Sequence, residues 1–146
     1  PPDGLNPLDA LEATQISPLQ AVIAAAALTN QGTRPGPRIV NAYQDPEGEW
    51  VTLPKFESNE KILPSDQAAA ATELLKAPDT FLWGVTANAN TDKGKTITWF
   101  IGGTTVNWQG QPLAVVVLLE KDEPGAAKAI GNTLLEETLN IPNPVK

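Results

Sequence analysis

Few residues in this chain have types and spacing that could do chemistry. Ser58-Asn59-Glu60-Lys61 has the Ser-x-x-Lys order. On a helix, that spacing sets a lysine amine beside a serine hydroxyl, where it can act as a base toward it. The segment is charged and Pro64 follows closely, so it reads as a solvated loop. Lys93-Gly94-Lys95-Thr96 ends like a phosphate-binding loop, but the position five residues before Gly94 is Ala89. Thr96 also leads into a β-prone stretch, whereas a phosphate loop opens a helix. A charged loop between two strands is expected there.

Ser17 precedes Pro18-Leu19-Gln20 as the first member of a capping box, so its hydroxyl is committed to an orphan backbone N–H. Glu136 and Glu137 are adjacent on a helical pattern and do not face each other, and Asp122-Glu123 suits a helix N-terminus. Asp45-Pro46-Glu47-Gly48-Glu49 lacks the register of a calcium loop. The chain has no His, Cys or Met. A Ser-His-Asp triad, a thiol nucleophile, a disulfide and an ordinary zinc site are excluded. No metal and no cofactor is expected, and no catalytic residue is assigned.

Acidic residues outnumber basic ones 17 to 10, giving a net charge of −7. That charge disfavours nucleic acid and anionic lipid headgroups as partners. Hydrophobic residues make up 41% of the 146, enough for one domain with a continuous core. The longest apolar run, Leu113 to Leu119, is too short to span a bilayer, so no transmembrane segment is expected. The chain opens with Pro1 and Pro2, as an excised segment or processed product would.

These residues must be carried by elements whose signals can be followed along the chain. Residues 1 to 16 read as a lead-in tail or linker, 17 to 140 as one domain, and 141 to 146 as a Pro-punctuated tail. A helix starts at Ser17 and stops at Asn30-Gln31-Gly32, with Leu19, Val22, Ile23, Ala26 and Ala27 as its apolar stripe. Arg38–Tyr43 and Glu49–Leu53 form a hairpin around Asp45-Pro46 and Gly48. A second helix covers Gln67 to Lys76 with a Ser cap, and Pro78 ends it. Phe81–Ala87, Thr96–Gly103 and Leu113–Glu120 read as strands. The unbroken apolar run of the last implies cover on both faces and a central place in its sheet. A last helix follows Pro124, with Ala127, Ile130, Leu134, Leu135 and Thr138 as its stripe. The sum is an α+β fold: an antiparallel sheet of about five strands with helices packed on it.

Ser17-Pro18-Leu19-Gln20, Leu28-Thr29-Asn30-Gln31-Gly32 and Pro37-Arg38-Ile39-Val40 resemble, in that order, strings of the transpeptidase domain of penicillin-binding proteins. Thr98-Trp99-Phe100-Ile101-Gly102, Leu113-Ala114-Val115-Val116-Val117 and Ala126-Ala127-Lys128-Ala129-Ile130 are similar to its later strands and closing helix. The resemblance covers roughly residues 15 to 140 and implies the C-terminal half of such a domain. In the family, the nucleophile motif SxxK and the SxN motif lie upstream of the part matched here. The KTG motif would fall on Trp83-Gly84-Val85, with the Thr86-Ala87 that follows it retained. The family's lysine there holds a substrate carboxylate, and Trp83 has no cation to offer.

The resemblance implies a non-catalytic or incomplete transpeptidase-like module in cell-wall assembly, extracytoplasmic, not an enzyme by itself. Its partners would be another domain or protein of that machinery, or a second copy. The alternative is a C-terminal part of an active D,D-transpeptidase whose nucleophile lies outside this chain. Trp108, among Asn107, Gln109 and Gln111, is either a surface contact for a ligand or a ring folded back on its own sheet. A half-domain would also expose a surface that its other half covers, giving self-association or a rearranged core.

Overall fold

The computed structural model describes residues 15–37, 40–54, 59–91 and 93–139. Helix α1 (Pro18–Thr29) begins as its sequence demands. The Ser17 hydroxyl accepts from the Gln20 N–H at 3.2 Å, and the Gln20 side chain accepts from the Ser17 N–H at 2.8 Å. The helix ends where Gln31 (φ 55°) and Gly32 (φ 80°) turn left-handed. Glycine is required at 32 because a side chain there would run into the backbone of Leu63.

Strands β1 (Thr33–Arg34), β2 (Ala42–Gln44), β3 (Trp50–Thr52) and β4 (Glu60–Lys61) form two outlying ribbons. In the β2–β3 hairpin Tyr43 faces Val51, and the Asp45 carboxylate accepts from the N–H groups of Glu47 and Glu49. This is the turn read from the sequence, on shorter strands; Arg38 and Ile39 lie outside the described residues. The β1–β4 pairing had no sequence signal: two residues a side, joined by an exposed Arg34–Glu60 ion pair at 2.9 Å.

Helix α2 (Ser65–Leu74) leads to β5 (Leu82–Asn90), β6 (Thr96–Thr104), β7 (Ala114–Leu119) and α3 (Pro124–Leu139). The three strands form an antiparallel meander with β6 in the middle. Helix α1 packs on β6 and β7, and α3 packs on all three strands. The helices cover opposite faces. Gly131 of α3 abuts the Phe100 ring, while Thr29 of α1 lies against Gly103 and accepts from Trp83. Residues 100 and 103 of one strand point opposite ways.

The fold is α+β with antiparallel strands and helices, as expected, but the sheet among the described residues has three strands rather than about five. Among the described residues β7 is an edge strand with helices on both faces, not the central strand its apolar run implied. Trp99 and Phe100 are both buried and, as neighbours on one strand, face opposite sides of the sheet, with Phe100 beneath α3. On α1 the buried residues are Ala21, Ala25, Ala27 and Thr29; of the expected stripe Ala27 is inside, Val22, Ile23 and Ala26 are half-buried, and Leu19 is 60% exposed. On α3 they are Ala127, Gly131 and Leu135, leaving Ile130 and Leu134 largely outside. The residues turned to the sheet are mostly small because the helices lie close to it, with Leu135 as the large exception. The expected Ser cap on α2 is absent. Pro64 holds the cap position, and the Ser65 hydroxyl instead accepts from Lys61.

Candidate functional site

The strand that would correspond to the KTG position is β5. Trp83 is 2% exposed, and its indole N–H lies 3.2 Å from the Thr29 hydroxyl and 3.1 Å from the Thr104 carbonyl. The bond to Thr29 ties the sheet to α1, and both acceptors are buried with their donor. Its neighbour Gly84 is bare for a separate reason: a Cβ there would stand 2.8 Å from the Phe100 ring. Gly84 pairs across the sheet with Gly102, where a Cβ would meet the same ring at 2.9 Å. Positions 83 and 84 are therefore occupied with packing the two faces of the sheet.

From Val85 onward β5 turns outward. Val85 is 41% exposed and Ala87 is exposed beyond Thr86. The outer edge of β5 is covered at its start, where the Gly84 N–H donates to the Leu75 carbonyl and the Ala77 N–H to that of Leu82. Past that point no strand among the described residues pairs with it. The far end is tied down by side chains. Asn88 accepts from the Thr98 hydroxyl at 2.8 Å and donates to Asp122 at 2.7 Å. The Thr98 hydroxyl also accepts from the Glu123 N–H at 3.0 Å, capping α3 from the central strand.

The described residues bring one serine and one lysine together, in an order the sequence did not suggest. Lys61 donates to the Ser65 hydroxyl at 2.7 Å and to the Gln31 carbonyl. Ser58, the serine of the Ser-x-x-Lys string, lies outside the described residues. A lysine becomes a base for a serine when burial strips its proton, with a cleft to hold the acyl donor. Here both side chains are exposed, and the amine spends its hydrogens on two oxygens. The pair links the β1–β4 ribbon to the start of α2.

Lys93 to Lys95 lie in the β5–β6 hairpin loop, closed by Thr91 and a left-handed Gly94 (φ 72°). Trp108 is half-buried, its ring tilted at 50° to that of Phe81 with centroids 5.6 Å apart. Its indole N–H has no acceptor among the described residues. Nearby, Glu73 pairs with Lys76 at 2.8 Å and accepts from Asn107 at 3.2 Å. The Lys76 hydrogen bond, and behind it that residue's charge and Asn107, hold the Glu73 carboxyl below the usual carboxylate range. Among the described residues no His, Cys, Asp and Glu cluster could hold a metal, and no helix is long and apolar enough to cross a membrane.

The three-stranded antiparallel meander with helices on both faces is similar to part of the fold of solved penicillin-binding proteins. No family model and no curated protein matches the sequence. Solved structures match its fold. Penicillin-binding protein A from M. tuberculosis, in its imipenem acyl-enzyme complex, gives a TM-score of 0.69 at 21% identity over 86% of this chain. The penicillin G acyl-enzyme complex of the same protein gives 0.66 at 21% over 86%. A peptidoglycan synthetase from Bifidobacterium adolescentis ATCC 15703 gives 0.53 at 14% over 90%. The match spans 31%, 32% and 29% of those three chains. This chain thus has about a third of their length, and the likeness is one of fold.

Proposed function

We propose that this chain is a non-catalytic or incomplete penicillin-binding-protein-like transpeptidase module, a structural or interaction unit in peptidoglycan synthesis outside the cytoplasm. The observation that carries the reading is Trp83. The family resemblance would put a carboxylate-holding lysine there, and this chain has instead a buried indole bonded to Thr29 and Thr104. The exposed Lys61–Ser65 pair supports the same reading, because it lacks the burial that acylation chemistry requires. What the module retains is a sheet with helices on both faces and strand edges suited to an extended partner. That partner would be another domain or protein of the cell-wall machinery.

A fluorescent penicillin tests this directly. Acylation would join a serine Oγ to the lactam carbonyl carbon, open the ring C–N bond and leave the proton on nitrogen. The expected result is no covalent adduct. A stoichiometric adduct, mapped by peptide mass to Ser65, Ser17 or Ser58, would overturn the proposal.

A second reading has its own support in the share of the structural neighbours that is matched, about a third. The chain would then be the C-terminal part of an active D,D-transpeptidase whose nucleophile lies on another segment. An upstream SxxK and SxN in the same reading frame would favour it. A protein spanning both parts would then take the penicillin label while carrying Trp83, whereas the first reading expects no label even there.

A further inference from the structure

The β6–β7 loop holds two buried polar atoms that differ from the rest of the buried set. Threonines buried elsewhere among the described residues are partnered. Thr29 and Thr104 accept from the Trp83 indole and the Leu113 N–H, Thr72 donates to the Ala69 carbonyl, and Thr98 makes three bonds. Thr105 is 2% exposed, yet its hydroxyl has no partner among the described residues. The other such atom is the indole nitrogen of Trp108, whereas the N–H of Trp83 has two acceptors.

Both atoms belong to one turn. The Trp108 N–H donates to the Thr105 carbonyl at 3.1 Å, closing residues 105 to 108 into a four-residue turn. The Thr105 N–H donates to the Phe81 carbonyl at 2.7 Å, which fixes the turn on the start of β5. Polar side chains nearby are engaged elsewhere: Asn107 reaches Glu73, and Gln109 turns back to the Asn107 carbonyl. The indole itself is held between the Phe81 ring and Gly110, where a Cβ would stand 2.5 Å from Nε1. Buried polar groups in folded chains are almost always satisfied, by protein or by enclosed water. Because the two atoms are shut off from the surface, a segment packed on the outside of the loop does not reach them. What satisfies them must be small and enclosed.

We propose that one water molecule is built into this turn, bridging the Trp108 indole and the Thr105 hydroxyl. Its oxygen accepts from the indole N–H, and one of its hydrogens goes to Thr105 Oγ1. Water suits the pair because the indole can only donate, while a hydroxyl both donates and accepts. A third bond, to a main-chain carbonyl of the loop, would complete the usual count. The water is then part of the joint between α2 and the sheet, since the same loop meets α2 through Asn107 and Glu73. Trp108 becomes a structural residue whose polar end faces inward, not a contact for an outside ligand.

The test uses the full 146-residue chain. A high-resolution crystal structure is expected to show one ordered water within hydrogen-bond distance of both Thr105 Oγ1 and Trp108 Nε1. In solution, 17O relaxation dispersion is expected to count one fewer long-lived water in Thr105→Val and in Trp108→Phe than in the wild type. Valine keeps the shape of threonine and removes the hydroxyl. Thr105→Val is therefore expected to lower the folding equilibrium constant about fivefold, whereas loss of an orphaned hydroxyl would raise it. A constant unchanged or raised, an unchanged water count, or a protein group bonded directly to either atom would each overturn the inference. Should the variants unfold, the wild-type crystal structure decides alone. None of these outcomes bears on penicillin labelling, so this inference and the proposed function fail separately.

Discussion

The two faces of the β5–β6–β7 sheet each bury an aromatic ring, and they hold it by different means. On the α3 face Phe100, 1% exposed, lies where Gly84, Gly102 and Gly131 withhold their side chains. Space is made by subtraction, from two strands and a helix at once. On the α1 face Trp83 meets the last residue of the helix, Thr29, beside Gly103, where a Cβ would crowd both. It is then held by two hydrogen bonds rather than by a cage. The α3 face should therefore fail by overfilling and the α1 face by losing a polar partner.

Gly131→Ala is the strongest way to break that contrast. A Cβ at this position would overlap the Phe100 ring, which is enclosed on its other sides by Gly84 and Gly102. Alanine improves helix propensity by about 1 kcal/mol over glycine, yet overpacking is expected to outweigh it and leave a net loss of about 2 kcal/mol or more. Urea denaturation measures the change. Adding Phe100→Leu should recover part of the loss, because the pair is in contact and its effects are not additive. A stabilised Gly131→Ala chain would mean that α3 can lift away, and that the cage is slack.

Trp83→Phe probes the other face. It keeps one aromatic ring, removes the indole N–H together with the second ring, and leaves the buried Thr104 carbonyl and Thr29 hydroxyl short of a donor beside a small cavity. The expected loss is about 1–2 kcal/mol. Near-neutral denaturation curves would show that packing, not hydrogen bonding, holds this face. The substitution must then be read against penicillin labelling, since it supplies no cation either.

How much of this was legible beforehand follows from the same physics. The Ser17 capping box, the Asp45 turn and the β5–β6 hairpin announced themselves through local hydrogen-bond chemistry, which needs only a few residues. The inward faces of α1 and α3 did so only in part. Of the expected stripes Ala27, Ala127 and Leu135 are buried, while Leu19, Ile130 and Leu134 are largely exposed, because close approach of helix to sheet favours small residues at most inward positions. Gly131 alone in a helical pattern, with Gly102-Gly103 on a strand, was the available signal for a tightly held ring. The Lys61–Ser65 contact depends on a two-residue ribbon of charged residues, which no periodicity could reveal. The bonds of Trp83 to Thr29 and Thr104 join segments far apart in the chain, so no local string could show them.

Thr98→Val tests whether the α3 face also depends on a polar tie at its rim. The Thr98 hydroxyl is buried on β6 and caps α3 by accepting from the Glu123 N–H, with Asn88 and the Lys121 carbonyl beside it. Valine keeps the shape and removes the cap, and a loss of about 1 kcal/mol is expected. Amide exchange should localise it. Faster exchange confined to the first turn of α3, with the Phe100 region unchanged, separates the rim from the cage. Exchange quickened through the whole of α3 would instead make the cap and the cage one cooperative unit.

The smallest effect lies outside both faces, at Glu73. Its carboxyl is held below the usual carboxylate range by the hydrogen bond from Lys76, and then by that residue's charge and by Asn107. A depressed folded-state value means a stabilising contribution that is present above the unfolded carboxylate's range and is lost as pH falls through the folded one. Glu73→Gln removes that dependence. The variant should therefore be slightly less stable than wild type at about pH 7 and indistinguishable from it at about pH 2, with thermal melts at both values as the measurement. The pair is exposed to solvent, so added salt should shrink the difference at neutral pH. A gap that persists unchanged into acid would show that the carboxylate's charge is irrelevant. The bond from Asn107 to the other oxygen would then be the part that anchors α2 to the β6–β7 loop.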